Sequence, residues 1–349
     1  MAKIMNIRKI YTDGRHNAFT DIEHWKGYYY VCFRNAGRHA VPGDYGDVFV
    51  IRSSDLKSWN VCVRLSAGDK HDDRDPALLN MGDELAVFFG SSYPKKPGEL
   101  LYEKRRNRRI QSFASFTSDG INWSSPQPIY EENFWLWQVE NSAGSFYGVA
   151  HDDWGTDKLA WSINGRDWKT IWEFASNKFQ FGEAGLWITD KRMYLVIRSP
   201  KSSTNMAILA QSEPPYKKWD IKELNYTVHS PVIRSVKGEL WIAGRACSKQ
   251  LPSSILPSEL SQEKVKALVH FDKRLSKTPD WYTALWRLKN DQLEPILVLP
   301  SRGDCAYPGL VVEENRVLMS YYSQHDIDKG PKPVSGETPS EIYLAEIIP

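Results

Sequence analysis

TSDGINW, from Thr117 to Trp123, is the stretch that decides the fold, because related stretches recur along the chain. Each combines a hydroxyl residue, an Asp-like residue and a tryptophan about six places further on. The other copies are SSDLKSW (Ser53–Trp59), SINGRDW (Ser162–Trp168) and, more loosely, SEPPYKKW (Ser212–Trp219). A single Asp-Gly pair would signal only a tight turn, in which glycine adopts the positive φ that such turns need. Four copies at similar spacing indicate a repeat.

Short strand-like runs dominate the chain around these turns. GYYYVCFR, ELAVFFGSS, RMYLVIRSP and ELWIAGRAC are rich in β-branched or aromatic residues, and Gly, Asp, Asn or Pro bound them. Long amphipathic helical patterns are nearly absent. The best helical candidate is Pro257–Leu268, which has the character of an insertion into the repeat, at about residues 250–268.

Six units of about 58 residues emerge when the strands are aligned on their openings. Each unit begins with a polar tag and an apolar strand, continues through an aromatic strand and a third strand to the Ser-Asp-Trp turn, and ends in a fourth strand. The openings are HNAFTDI at His16, DRDPALL at Asp73, WLWQVEN at Trp135, FGEAGLW at Phe181, HSPVIRS at His229 and CAYPGLV at Cys305. Units of this size are typical of propeller blades built from four antiparallel strands.

The two ends of the chain complete one another. The sixth unit ends at EIYLAEII without a fourth strand, whereas the N-terminal segment IMNIRKIYT has no unit of its own. That segment can supply the missing strand, which would remove an open sheet edge and tie the termini together. We therefore predict an all-β fold: a single six-bladed β-propeller over residues 1–349, with four-stranded antiparallel blades and the N-terminal strand closing the last blade.

Composition argues against several functional classes. The chain carries 45 basic and 43 acidic residues, and a net charge of +2 gives no field that would attract nucleic acid or a membrane surface. No apolar run is long enough for a signal peptide or a membrane span, so we expect a cytoplasmic protein. The four cysteines have no metal-ligand spacing, and no glycine-rich phosphate loop occurs. We expect no metal or cofactor, and a monomer or weak homo-oligomer.

The Ser-Asp-Trp turns are predicted to be scaffold. In a four-stranded meander, alternate connections lie on opposite faces, so the turns between third and fourth strands share a face with those between first and second strands. Asp119 can accept backbone N–H bonds there, Gly120 relaxes the turn, and Trp123 can pack against the neighbouring sheet. Chemistry is expected on the other face.

Ionisable and aromatic side chains converge on that other face, which we call the mouth. It collects residues at the start of each first strand and at the end of each second strand, and six of the eight histidines lie near it. The candidates at the start of the first strands are His16, Asp21, Asp72, Arg74, Asp75, Trp137, Glu140, Glu183, His229, Asp304 and Tyr307. Those at the end of the second strands are Arg34, His39, His151, Asp152, Arg198, Arg245 and His325.

This set of residues points to an acidic sugar as the partner. Arginines from several blades suit a carboxylate, because the guanidinium fork binds it bidentately. We expect Arg34, Arg74, Arg198 and Arg245 to surround that carboxylate. Tryptophan and tyrosine suit the flat faces of a sugar ring, and carboxylates with a tyrosine are available for glycosidic cleavage. An oligosaccharide or glycan is therefore the expected partner.

A resemblance to a known family adds to this interpretation. The S-x-D-G-x-x-W pattern resembles the Asp-box, or BNR repeat, of the sialidase superfamily of propellers, and DPALL at the second opening is found in many sialidase-like chains. The six-unit layout extends the resemblance over essentially the whole chain. It implies a sialidase-like glycoside hydrolase, acting from the end of a glycan, that cleaves a terminal acidic sugar similar to sialic or uronic acid.

By this resemblance, the catalytic pair is Tyr307, in AYPGL, with Glu183, in GEAGLW. In the family the tyrosine that opens the last blade is the nucleophile, and the glutamate activates it. Arg198, in VIRSP, matches one arginine of the family's carboxylate-binding triad. Arg245 is a candidate for another, on its expected position in space.

Two features depart from the family pattern. Its first arginine lies in an Arg-Ile-Pro motif, whereas this chain has RHNAF, so either Arg15 stands in or His16 has replaced it. His16 is therefore also a catalytic candidate. The acid/base aspartate is implied in the loop after the second strand of the first blade, where Asp44 and Asp47 are the candidates. The expected binding set is completed by Asp21, Asp75, Trp137 and His229.

Two alternatives from other classes remain open. Polysaccharide lyases and rhamnose-glucuronate-cleaving enzymes share the propeller outline and work with His, Tyr and Arg. Such an enzyme would take the C5 proton of an acidic sugar with a histidine or tyrosine base, a role that suits His16, His39, His229 or Tyr307. A non-catalytic sugar-binding propeller would need only the aromatic residues and the arginines.

Overall fold

In a computed structural model, the described residues form six four-stranded antiparallel sheets, as the sequence predicts. The structure describes residues 2–103, 107–153, 155–176, 178–199, 205–256, 281–326 and 339–349. Most of the insertion predicted at about residues 250–268, with its helical candidate Pro257–Leu268, lies outside these ranges. Within them, no helix is long and apolar enough to cross a membrane.

The strands are, in chain order, β1 (Lys3–Tyr11), β2 (His16–Trp25), β3 (Tyr28–Ala36), β4 (Asp47–Ser53), β5 (Asn60–Leu65), β6 (Asp72–Asn80), β7 (Leu85–Pro94), β8 (Arg108–Thr117), β9 (Gln127–Pro128), β10 (Trp135–Ser142), β11 (Ser145–His151), β12 (Asp157–Ser162), β13 (Lys169–Phe174), β14 (Ala184–Ile188), β15 (Met193–Ile197), β16 (Ile208–Ser212), β17 (Asp220–Glu223), β18 (Val228–Val236), β19 (Glu239–Cys247), β20 (Trp281–Lys289), β21 (Gln292–Leu299), β22 (Ala306–Val312), β23 (Val317–Ser323) and β24 (Glu341–Ile348). Short 3-10 helices follow β19 at Ser248–Gln250 and Ser253–Ile255.

Each blade is a meander whose strands pair in chain order, from β2-β3-β4-β5 in the first blade to β22-β23-β24 in the last. The first strand of each blade contacts the first strands of both neighbouring blades, so these strands surround a central axis. Hydrophobic clusters fill the spaces between adjacent blades. One of them joins Tyr30 and Val50 of the first blade to Leu78 and Phe89 of the second. The core therefore lies between the sheets, and the strand ends around the axis are free to carry polar groups.

Strand β1 closes the ring, as predicted. It pairs antiparallel with β24, from Lys3 opposite Ile348 to Tyr11 opposite Ile342. Ile7 packs against the cluster between the fifth and sixth blades. The last blade thereby obtains its fourth strand, and the two ends of the described chain are held in one sheet.

The repeated turns carry the hydrogen bonds that the sequence predicts. In the second blade, Asp119 Oδ1 accepts the backbone N–H groups of Ile121 and Asn122, each at 2.8 Å. Asp55 and Asn164 accept the corresponding pair of N–H groups in the first and third blades. These side chains satisfy backbone donors that a tight turn would otherwise leave unpaired.

The residue three places before each tryptophan adopts a left-handed backbone conformation in all four turns. Glycine occupies it twice, with φ of +72° at Gly120 and +67° at Gly165. A Cβ at Gly120 would lie 2.0 Å from the Tyr30 hydroxyl oxygen, so the position also requires glycine for space. Leu56 and Tyr216 occupy the other two, with φ of +60° and +62°, and both are buried. Their packing offsets the strain.

The tryptophans that end these turns are half-buried and pack against the hydrophobic clusters between blades. They are Trp59, Trp123, Trp168 and Trp219. Trp123, from the second blade, contacts the cluster that also contains residues of the first. This agrees with a structural role on the face opposite the mouth.

One buried carboxyl group has no counterpart in the sequence predictions. Asp157 is fully buried at the start of β12, and neither of its oxygens has a hydrogen-bond partner among the described residues. Burial, and then the negative charge of Asp152, raise the pKa of Asp157 well above its ordinary value. A proton bound to a buried carboxyl avoids the desolvation of a charge, so burial favours the neutral form of Asp157 in the folded protein.

Replacing Trp123 with alanine should lower the free energy of unfolding by roughly 2–4 kcal/mol, because the half-buried indole leaves a cavity between two blades. Urea unfolding measures this change. Ile121→Ala is the matched control: Ile121 lies in the same turn with 59% of its surface exposed, and its loss should have little effect. Equal stability of the two variants would contradict the packing role of Trp123.

Replacing Asp157 with asparagine should make stability less dependent on pH. A carboxyl with a raised folded-state pKa contributes full stability below its unfolded pKa of about 4, and this contribution is lost as pH rises towards the folded value. The advantage of Asp157→Asn over the parent should therefore grow by about 1.4 kcal/mol per pH unit above about pH 5. Chemical denaturation across this range measures it, with exposed Asp83→Asn as the control. A gap that does not change with pH would show that Asp157 is not neutral.

Candidate active site

Irregularities in the innermost strands build the mouth. Among the described residues, the register breaks near the start of β2, β6, β10, β18 and β22. At four of these bulges a non-glycine residue has positive φ: Phe19 (+62°), Asp75 (+52°), Ser230 (+46°) and Tyr307 (+46°). Bulges re-aim side chains, and residues held in this region cost of order 1–3 kcal/mol and cluster at functional sites. Together with Trp137, the four line one cavity on the central axis.

The predicted catalytic pair is in direct contact across the ring. Tyr307 Oη donates to Glu183 Oε1 at 2.8 Å, and Arg198 Nη1 lies 2.5 Å from the same oxygen. The other oxygen, Oε2, accepts the backbone N–H and the hydroxyl of Ser230, at 2.9 and 2.7 Å. Four donors thus hold one carboxylate that is only 8% exposed. The orientation of Glu183 is fixed.

Electrostatics decides where the proton of this pair resides. Burial raises the pKa of Glu183, but the Arg198 charge and the hydrogen bonds outweigh it and bring the pKa to about 2. Burial, and then the charge of Glu183, raise the pKa of Tyr307, although Arg245 and Arg198 act in the opposite direction. At rest the phenol is therefore neutral and the carboxylate charged, with the proton placed for transfer between them.

Two of the predicted arginines flank this pair. The Arg245 guanidinium lies 5.1 Å from the centre of the Tyr307 ring, and the Arg198 side chain is 27% exposed. Arg198 Nε is buried and has no hydrogen-bond partner among the described residues. These two guanidinium groups suit an anion bound beside Tyr307.

The other two predicted arginines belong to a network in the first and second blades. Arg74 Nε donates to Asp75 at 3.2 Å and its Nη1 to the Tyr102 hydroxyl at 3.0 Å. Arg34 is fully buried, and its Nε and Nη2 lie 2.8 and 2.7 Å from Asp72 Oδ1. Arg74 retains slight exposure, whereas Arg34 has none.

Asp304 is the centre of a second polar cluster at the mouth. Its Oδ2 lies 3.0 Å from His16 Nε2 and 2.5 Å from His39 Nδ1. Its Oδ1 accepts the Tyr322 hydroxyl at 2.6 Å and Arg245 Nη2 at 2.8 Å. Burial raises the pKa of Asp304, but these donors hold it well below its usual range. Burial also lowers the pKa of His16 to about 4, so its imidazole is neutral at neutral pH.

This cluster is also where described residues come nearest to a metal site, since ligand atoms of His16, His39 and Asp304 lie within 4.8 Å of one another. A metal-bound histidine donates its other ring N–H to a carboxylate, carbonyl or water. Here the other nitrogens face guanidinium donors: His16 Nδ1 is 3.5 Å from Arg34 Nη1, and His39 Nε2 is 3.4 Å from Arg74 Nη2. Because guanidinium cannot accept a hydrogen bond, these residues do not fit a metal ion.

Three more predicted residues surround the pair. The Trp137 ring lies 5.9 Å from that of Tyr307 and offers an aromatic face. His229 packs on Trp281 at 4.8 Å, and burial, followed by the Arg198 charge, lowers the pKa of His229 to about 3. Burial raises the pKa of Asp75 to about 7, against the charge of Arg74.

Other predicted residues are not brought to the pair. Asp21 lies deeper in the cavity, where it accepts backbone N–H groups of Ile22 and Leu78 at 2.9 and 2.8 Å. Asp44 accepts the backbone N–H of Gly37 at 3.0 Å, and Asp47 pairs with Arg64 at 2.5 Å. Arg15 is exposed. Within the described part of the chain, none of Asp44, Asp47 and Arg15 has a hydrogen bond or ion pair with Tyr307, Glu183 or Arg198.

Sequence reasoning missed Phe19, Ser230, Tyr102 and Tyr322. Tyr322 could have been predicted, because it lies near the end of the second strand of its blade and such strand ends are expected at the mouth. Only His325 was named there. Ser230 follows His229 in the HSPV opening and could have been noticed as the residue before a proline, as Asp75 and Tyr307 are. Tyr102 lies in a long loop, for which no sequence pattern gives a position.

Comparison with known proteins identifies the fold. No family model matches the chain, and no curated protein sequence gives a significant match. Among solved structures, Trypanosoma rangeli sialidase in complex with sialic acid superposes with a TM-score of 0.63 at 13% identity, over 95% of this chain and 54% of that one. Phage phi92 endosialidase gives 0.63 at 13% identity, over 98% and 69%. Bombyx mori GH32 beta-fructofuranosidase BmSUC1 gives 0.50 at 9% identity, over 97% and 91%.

The chain thus spans about half the length of the Trypanosoma sialidase, and identities this low compare folds only. The six four-stranded sheets, the closing strand and these superpositions agree with one another. The chain has the six-bladed propeller fold of sialidase-like proteins.

Proposed function

We propose that this protein is a glycoside hydrolase that cleaves a terminal acidic sugar, similar to sialic or uronic acid, from an oligosaccharide or glycan. The contact between Tyr307 Oη and Glu183 Oε1 carries the proposal, because it joins a nucleophile to a base at a mouth that also holds arginines. The sialidase structures with the same fold, one of them bound to sialic acid, support it.

In the proposed reaction, Tyr307 Oη attacks the anomeric carbon while its proton passes to Glu183. A neutral phenol is a poor nucleophile at neutral pH, and a carboxylate 2.8 Å away supplies the general base that it needs. A neutral nucleophile has one advantage here: it approaches an anionic sugar without the repulsion that an aspartate or glutamate would meet.

Arg198 and Arg245 are assigned to the substrate carboxylate. Both lie beside Tyr307, the Arg198 side chain is partly exposed, and a guanidinium can bind a carboxylate through two N–H groups. Trp137, whose ring lies 5.9 Å from that of Tyr307, would contact a face of the sugar. The site thus combines an anion-binding side with an aromatic side, as recognition of an acidic sugar requires.

A second candidate, a polysaccharide lyase, is favoured by one observation. His229 is neutral and its Nδ1 is buried without a partner among the described residues, close to Arg198 and Glu183. A neutral imidazole beside a carboxylate-binding arginine could take the C5 proton of a uronic acid. In that reaction His229→Gln would abolish activity, whereas Glu183→Gln would be tolerated.

A panel of acidic oligosaccharides separates these functions. Release of a new reducing end alone supports hydrolysis. A new reducing end accompanied by the ultraviolet absorbance of an unsaturated uronate supports elimination and contradicts the hydrolase. Binding without either signal would leave a sugar-binding propeller.

Replacing Tyr307 with phenylalanine should lower kcat by about a hundredfold or more with little change in KM, because only the transition state loses its partner. Arg198→Lys should instead act mainly on KM, since a point charge cannot reproduce the fork. Steady-state kinetics on the sugar identified by the panel measures both. Tyr147→Phe, at a half-buried tyrosine of β11, is the control and should behave as the parent. A Tyr307→Phe protein with full turnover would exclude Tyr307 as the nucleophile.

A further inference from the structure

We propose that His39, held by Asp304, is the acid/base residue of the reaction, in place of the aspartate that the sequence led us to expect at Asp44. The inference rests on the proposed function, because a glycosidase whose leaving group is an ordinary sugar hydroxyl needs a proton donor for the glycosidic oxygen. It assigns that role to a side chain that the family resemblance does not supply.

Asp304 fixes the tautomer of His39. Its Nδ1 lies 2.5 Å from Asp304 Oδ2, and an ionised carboxylate can only accept, so Nδ1 carries a hydrogen. The other oxygen of Asp304 is held by Tyr322 and Arg245, which prevents the carboxylate from turning away. Nε2, which lies 3.4 Å from Arg74 Nη2, is therefore the nitrogen left to exchange a proton.

His39 lies at the mouth. Its side chain is 34% exposed, in the loop that follows β3. The imidazole meets the Phe19 ring edge-on at 5.5 Å, and the same Phe19 ring lies 4.7 Å from that of Tyr307. Phe19 thus contacts both His39 and Tyr307, which places the two side chains at the same mouth.

A comparison within the same cluster shows why His16 cannot take this role. His16 shares Asp304 Oδ2 with His39, at 3.0 Å, but its side chain is fully buried. Its remaining nitrogen faces Arg34 inside the protein. His16 is a positioning residue for Asp304. The remaining nitrogen of His39 also faces an arginine, Arg74, but the His39 side chain is partly exposed whereas that of His16 is not. Asp44, meanwhile, is engaged with the backbone of Gly37.

The proposed reaction has two steps. Tyr307 Oη bonds to the anomeric carbon and gives its proton to Glu183, while the glycosidic C–O bond breaks and its electron pair stays on the leaving oxygen. That oxygen takes the proton of His39 Nε2. In the second step, His39 Nε2 removes a proton from water, whose oxygen bonds to the anomeric carbon. The bond to Tyr307 breaks, its electron pair returns to the phenolate oxygen, and Glu183 returns the proton.

Leaving-group dependence tests the assignment. The probes are two glycosides of the acidic sugar that the panel identifies: its nitrophenyl glycoside, whose leaving group needs no proton, and a disaccharide, whose leaving group does. His39→Asn should lower kcat/KM about a hundredfold or more on the disaccharide and less than about tenfold on the nitrophenyl glycoside. Added azide should restore turnover of the nitrophenyl glycoside and yield a glycosyl azide, because azide needs no base.

The controls separate a chemical role from a structural one. His24→Asn, at an exposed histidine stacked on Tyr29 at the opposite face, should match the parent on both glycosides. Melting curves establish that His39→Asn is folded, and His39→Gln provides a second variant if it is not. Equal losses on the two glycosides, without azide rescue, would overturn the proposal in favour of a packing role. The same pattern in Asp44→Asn but not in His39→Asn would reassign the acid/base to Asp44.

Two further outcomes are decisive. If a chelator abolishes activity and zinc restores it, the cluster binds a metal and the acid/base assignment fails. If the parent protein turns over neither glycoside, the proposed function itself fails. If the parent is active and the His39→Asn variant is equally active on both probes, only the assignment of His39 fails. Only the second result contradicts His39 while leaving the hydrolase intact.

Discussion

The antiparallel pairing of β1 with β24 is the constraint on which the mouth depends, because it fixes the last blade next to the first. Asp304 belongs to the last blade, whereas His16 and His39, which it binds, belong to the first. Tyr307 opens the last blade and reaches Glu183 of the fourth. No single blade holds all the residues of the candidate site, so the site is assembled only when the ring is closed.

In the proposed reaction, charge balance would link substrate binding to activation of Tyr307. The only ion pair of Glu183 among the described residues is with Arg198, whose charge keeps the pKa of Glu183 low against the effect of burial. A substrate carboxylate that shares Arg198 would weaken that ion pair and make Glu183 a stronger base towards Tyr307. Before an anion binds, the Tyr307 phenol would thus stay neutral and poorly nucleophilic.

The sequence predicts most of the fold and part of the site, for different physical reasons. The turns depend on local sequence. A hydroxyl residue, an aspartate such as Asp119 and a residue in the left-handed conformation form the same hydrogen bonds wherever they occur together. Antiparallel topology then places Glu183, Arg198 and Tyr307 on one face, and this placement can be predicted without knowing which residues they contact. Asp44 was predicted from its loop alone, and loop conformation depends on tertiary contacts such as the N–H of Gly37. The bulge at Phe19 could not be predicted either, because its positive φ is imposed by the surrounding blades and not by the local sequence.

The departure at RHNAF changes how an anion can be recognised. Where the resemblance implies an arginine, His16 is neutral and hydrogen-bonded to Asp304. Asp304 also neutralises Arg245, and Asp75 lies against Arg74. The guanidinium charges at this mouth are thus largely compensated before a substrate binds. Long-range attraction contributes little in such a site, and selectivity must come from the geometry of the remaining N–H donors, which can bind an anion bidentately.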